Sequence, residues 1–148
     1  MPVLGAVAAL AVAGVAAAQG DRSSDPLFAV LDGGYEVSTE GNMAGAGDKD
    51  GFGSATVLIK GNRQICFGMT VASISQPVAA HIHRGRAGEN GPVVIPLLQP
   101  KRGDADASSG CVRASRALVA DIQAHPKGYY VNVHTKDFPA GAIRGQLH

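Results

Sequence analysis

The feature that most constrains this chain is a strict alternation of side chains in two short stretches. In Ala80-His81-Ile82-His83 and in Tyr130-Val131-Asn132-Val133-His134, apolar and polar residues take turns. That period of two belongs to a β-strand. Ala80 and Ile82 share one face, and His81 and His83 share the other. In the second stretch Val131 and Val133 lie on the apolar face, with Asn132 and His134 on its reverse. Three of the five histidines therefore stand on strand faces turned away from a core.

The remaining segments extend the same reading. With 20 Gly, 8 Pro and no Trp, the chain suits short strands joined by tight turns better than a helical bundle. Strands are expected over residues 27–37 (interrupted or bulged at Gly33-Gly34), 53–60, 64–73, 93–98, 111–114 and 142–147. Polar loops are expected over 39–51 and 99–110. Within the first, Asp48-Lys49-Asp50-Gly51 lacks the ligand spacing and the closing Glu of a calcium loop, so a hairpin turn is the reading. Ser115 looks like the N-cap of a short helix that places Leu118, Val119 and Ile122 on one side and ends at Pro126. The sum is an all-β, antiparallel Greek-key β-sandwich or flattened barrel, immunoglobulin-like or copper-zinc superoxide dismutase-like. It has seven or eight strands and one short helix.

A length of 148 residues accommodates one domain. Thirteen Lys and Arg against twelve Asp and Glu leave no basic stripe, which argues against a nucleic-acid partner. Residues 1–18 read as a secretory signal peptide, an Ala/Val/Leu/Gly run ending in Ala16-Ala17-Ala18. Residues 19–26 form a flexible lead-in and 27–148 the folded domain. No membrane span is expected in the mature chain, and its expected location is secreted, either periplasmic or extracellular. Cys66 and Cys111 have neither CxxC spacing nor a histidine at finger spacing, so in an exported chain they read as one disulfide. Such a link contributes roughly 4 kcal/mol in the chain-entropy picture; two buried free thiols are the alternative. Cys66 lies on the face opposite Ile65, Phe67, Met69 and Val71, so its partner is expected from that side, in a loop lying over the sheet. Arg102-Gly103-Asp104 is a tripeptide that integrins recognise, yet composition alone produces it readily in a polar loop.

Longer motifs give a family resemblance. Ala80-His81-Ile82-His83-Arg84-Gly85, followed by Gly88, Asn90-Gly91-Pro92-Val93-Val94 and Pro96-Leu97, resembles the middle of a chordin-type (CHRD) domain. Tyr129-Tyr130-Val131-Asn132-Val133-His134-Thr135, then Phe138-Pro139-Ala140-Gly141-Ala142-Ile143-Arg144-Gly145-Gln146-Leu147, is similar to that family's end. Leu31, Gly34, Glu36 and Val37 resemble its opening strand, with Ser38 and Thr39 where prolines often stand. The resemblance spans about residues 27–147. It implies a stand-alone, secreted, single-domain member. The growth-factor antagonism of animal chordin does not transfer, because the cysteine-rich modules that accompany chordin's domains are missing here.

The histidines carry the functional expectation. His81 and His83 project from one strand face about 7 Å apart, and His134 from a neighbouring strand completes a three-imidazole set suited to copper or zinc. Asn132 would support this set by hydrogen bonding. Arg144 would serve as an anion guide or pair with Glu36. His125 and His148 stand apart, at a helix end and at the last position. The other reading has the histidines and Asn132 bonding to the backbone of residues 85–91 and fixing that loop. Three functions follow from these readings: a metal-binding module, a superoxide dismutase-like copper enzyme, and an extracellular adhesion or scaffold module without metal. The first two need the imidazoles together, whereas separations beyond about 8 Å would favour the third. A serine nucleophile has no Gly-x-Ser-x-Gly elbow to sit on.

Overall fold

A computed structural model describes residues 25–40, 43–101 and 106–148. The expected signal peptide, most of the lead-in and the Arg102-Gly103-Asp104 tripeptide lie outside the described residues. Among those described, eight strands and one α-helix follow in order: β1 (Leu27–Asp32), β2 (Phe52–Lys60), β3 (Gln64–Ala72), β4 (Pro77–Arg84), β5 (Val93–Leu97), β6 (Ala107–Arg113), α1 (Arg116–Ala124), β7 (Tyr129–Thr135) and β8 (Ile143–Gln146). All pairings are antiparallel within one sheet of order β5-β4-β7-β8-β1-β2-β3-β6. The sheet curls until its two ends approach, where the Ser108 hydroxyl donates to the Leu98 carbonyl at 2.7 Å. The result is a nearly closed, all-β barrel with one short helix, as expected from the strand pattern.

Alternation decides which residues fill the interior. Leu31, Val57, Ile65, Ile82, Val131, Val133 and Ile143 all point inward and are fully buried; each contributes about 1.5–3 kcal/mol of apolar burial. Helix α1 begins where Ser115 accepts the Leu118 N–H at 3.2 Å, and it lays Val119 and Ile122 against the same core.

Three local expectations need correction. The first strand ends at Asp32, because a 3-10 turn over Gly33–Tyr35 follows, held by the Asp32 carboxylate accepting the Gly34 N–H at 2.7 Å. Any side chain at Gly33 would collide with the backbone of Asp48. Beyond the turn, Val37 pairs only through an isolated bridge to Ala44. The strand expected over 111–114 is longer. Polar residues from Ala107 onward join it because the free edge of β3 supplies hydrogen bonds from Thr70 to Gln64. Finally, the partner of Cys66 comes from this neighbouring strand and not from an overlying loop. Cys66 and Cys111 are directly opposite and joined by a disulfide.

Candidate metal centre

Strands β4 and β7 lie side by side, with His83 opposite Tyr130, His81 opposite Asn132 and Ala79 opposite His134. The period-two pattern then puts His81, His83, Tyr130, Asn132 and His134 on one face. This face points away from the apolar core, yet it is not open to water. Residues 85–91, the segment around Glu36 and the turn at Pro139 roof it. His83 is 9% exposed, and Asn132 and Arg144 are each 2% exposed. Burial of so many polar groups demands partners, and the roof supplies most of them.

The three imidazoles converge as expected. One ring nitrogen from each falls within 4.8 Å of the others, and His81 Nδ1 stands 3.1 Å from His134 Nε2. Carbonyl oxygens fix two of the tautomers, since a carbonyl only accepts. His83 Nδ1–H donates to Gly91 O at 2.9 Å, and His134 Nδ1–H donates to Pro139 O at 3.0 Å. Both Nε2 atoms therefore carry lone pairs, and that of His134 accepts a hydrogen bond from His81. His81 Nδ1 accordingly supplies the hydrogen in its bond to His134. His83 Nε2 and Asn132 Oδ1 are buried without a partner among the described residues.

Electrostatics keep these rings neutral. Burial pushes His81 down to about 4, and the neighbouring His134 and His83 add to the effect. Burial likewise lowers His83, opposed by the Gly91 carbonyl, and lowers His134, opposed by the Pro139 carbonyl. Neutral imidazoles are what a metal ion requires, and His81 presents Nδ1 to one once its hydrogen moves to Nε2 and its bond to His134 is given up. The set contains no carboxylate, so it suits borderline ions such as copper or zinc, not the hard, oxygen-seeking calcium or magnesium. Two nitrogens on one zinc lie at most about 4.2 Å apart, so the widest separation here has to close slightly.

Arg144 is near the histidines, but its donors are engaged. Nη1 donates to Asn90 Oδ1 at 3.1 Å and Nη2 to Glu89 O at 2.5 Å. The guanidinium lies 3.7 Å from the centroid of the Tyr130 ring, on which His83 also stacks at 4.8 Å. The expected pairing with Glu36 is not made: no Arg144–carboxylate contact falls within 4 Å among the described residues. Glu36 instead accepts the Asn132 amide at 2.7 Å, so Asn132 bonds to a carboxyl group and not to the 85–91 backbone. Burial raises the Glu36 carboxyl to about 7, against the lowering effect of Arg144 and of the Val37 N–H. His125 lies elsewhere, bonded to Asp121 of its own helix at 2.8 Å. The His83 bond to the Gly91 carbonyl is the one the alternative reading expected of residues 85–91; sequence reasoning missed Tyr130 and the Pro139 carbonyl. The alternation alone would have placed Tyr130 on the histidine face, whereas carbonyls supplied by loops leave no side-chain signal.

The roofed histidine cluster on a small, disulfide-linked β-barrel defines the class: an all-β domain with a candidate metal-binding face. The family model of the CHRD domain matches residues 27–147, and the chain belongs to the CHRD domain family. No curated protein and no solved structure matches it.

Proposed function

We propose that this is an exported metal-binding module that holds one copper or zinc ion through His81, His83 and His134. The observation that carries this reading is the buried Nε2 of His83, which has no partner among the described residues and lies near the ring nitrogens of His81 and His134. Its ring is fixed from behind by a backbone carbonyl, as is that of His134. A carbonyl or carboxylate behind each ring is the usual support of a metal-ligating histidine, because it sets the tautomer and aims the lone pair. A purely structural histidine gains nothing from a buried nitrogen left without a partner. The disulfide agrees with an exported chain, and no helix among the described residues is long and apolar enough to cross a membrane.

The dismutase-like reading asks Arg144 to draw an anion toward the metal. With the guanidinium buried and bonded to Asn90 and Glu89, binding is the better-supported role. The imidazoles are too close together to favour the adhesion reading.

Metal analysis and calorimetric titration of the purified chain with Cu(II) and Zn(II) test the proposal. One equivalent should bind, and His81→Ala and His134→Ala should each weaken binding by more than about 100-fold. If both variants take up metal like the parent, the three-histidine site is wrong.

A further inference from the structure

Two buried acceptors share the roofed face of β4 and β7 and have no partner among the described residues: His83 Nε2 and Asn132 Oδ1. The first belongs to the three-histidine set, which leaves the second unexplained. Asn132 stands directly opposite His81 across the sheet and two positions before His134 on the same face. It is 2% exposed. Directly opposite side chains leave their strands about 5 Å apart, so the amide borders the imidazole cluster.

The amide is oriented from its other branch. Asn132 Nδ2 donates to Glu36 Oε1 at 2.7 Å, and the two branches of a planar amide diverge, so Oδ1 is turned away from Glu36. Arg144 flanks Asn132 on β8, but its Nη1 and Nη2 donate to Asn90 and Glu89 instead. A buried carbonyl left without a donor costs about 1–3 kcal/mol, and an amide oxygen can only accept. Oδ1 therefore calls for a hydrogen, carried by something small enough to lie between Asn132 and the histidines.

The histidines have the complementary need. Among the described residues no Cys, Asp or Glu joins His81, His83 and His134 in their group, and three protein ligands leave the fourth position of a tetrahedral ion open. Water meets both demands. Its oxygen bonds such an ion at about 2 Å, and one of its hydrogens reaches an acceptor oxygen about 2.7 Å further on. Resting on the three-histidine reading, we infer that the ion keeps an exchangeable fourth position beside Asn132, held by water and selective for small ligands with a hydrogen on the binding atom. Asn132 Oδ1 accepts that hydrogen. Azide, which has none, sets its lone pairs against Oδ1 and is disfavoured.

The test uses the full chain loaded with one equivalent of Cu(II). Electron–nuclear double resonance in H2O and in D2O should show strongly coupled exchangeable protons beyond those of the ring N–H groups. Azide and ammonia are then titrated separately at one alkaline pH and followed by the copper spectrum; ammonia carries the hydrogen that azide lacks. In Asn132→Ala azide should bind more tightly and ammonia more weakly, which shifts the ratio of their affinities by about 10-fold. Simple opening of the site by the smaller side chain would strengthen both. Because this buried change can impair folding, the resonance experiment on the parent decides independently. Failure to take up copper, or uptake indifferent to His81→Ala, overturns the histidine site and this inference with it. Uptake through the histidines without exchangeable water protons, or an unchanged azide-to-ammonia ratio in folded Asn132→Ala, overturns this inference alone.

Discussion

The two faces of β4 and β7 arise from one alternating pattern, yet different forces hold them. On the inner face Ile82, Val131 and Val133 are fully buried among other aliphatic side chains. Their attraction has no direction, so many apolar residues of similar volume would serve. On the outer face, His83, Asn132 and Arg144 are nearly as well buried, but each stays buried through bonds of fixed geometry to a loop above it. Stability therefore resides mainly in the first face and the candidate metal ligands in the second. The same strands that fill the barrel also aim the histidines.

The largest effect should come from breaking the inner face. Ile82→Ala removes a fully buried side chain between two histidines that point the other way. It should cost about 4 kcal/mol in denaturant unfolding. If the two faces are separable, the variant that remains folded should titrate metal like the parent. A loss of only about 1 kcal/mol would mean that the interior is far less tightly packed than its burial indicates.

A smaller and pH-dependent effect should come from the outer face at Glu36. The folded carboxyl keeps its proton up to about pH 7, whereas its ordinary value is 4.5. Between these values the folded state binds more protons, so this group's contribution falls as pH rises from 4.5 through 7, then levels off. The full loss is on the order of 3 kcal/mol. Glu36→Gln retains an oxygen for the Asn132 amide and cannot ionise. It should exceed the parent in stability by up to that amount at pH 8, with the difference vanishing toward pH 4.5. The lowered histidine values pull the other way. Below about pH 6.5 an unfolded imidazole takes a proton that folded His81 refuses, so both proteins lose stability there and the comparison cancels the loss. Chemical unfolding of metal-free protein from pH 4.5 to 8 measures the difference, and a constant offset across that range would reject this assignment.

The inner face was legible in the sequence because burial leaves a periodic trace. Ile65, Phe67, Met69 and Val71 alternate, as do Ala80 and Ile82, and all point where the pattern put them. The site was half legible. Alternation placed His81, His83 and His134 on one face, and the neighbouring strands brought them within reach of each other. The roof was legible only in part: histidine bonding to the 85–91 backbone was among the readings and His83 makes it, but the Pro139 carbonyl and the close approaches leave no side-chain signal. At Gly91, for instance, a Cβ would run into the Arg84 carbonyl. Pairing partners were harder to read than faces. Cys66 found its match in a strand whose polar composition resembles a loop, and Arg144 bonded to Asn90 and Glu89 from 54 and 55 positions away. Register across a curled sheet is set by the whole chain, and no local pattern reports it.

The smallest effect sharpens the comparison from the open part of the outer face. On β2 and β3, Ser54 and Thr70 are exposed and stand opposite each other with their hydroxyls 3.2 Å apart. The pair has the same alternation as His81 and Asn132 and a similar cross-strand position, but water competes for every bond. An exposed hydroxyl pair of this kind is worth only a few tenths of a kcal/mol, within the range of ordinary surface substitutions. Ser54→Ala should therefore shift unfolding free energy by less than about 0.5 kcal/mol and leave metal titration unchanged. Asn132→Ala, at the equivalent depth under the roof, strips the partner from a buried carboxyl group and should cost about 2 kcal/mol. Equal losses from the two substitutions would show that the roof, and not alternation within the strands, is irrelevant to how the outer face is held.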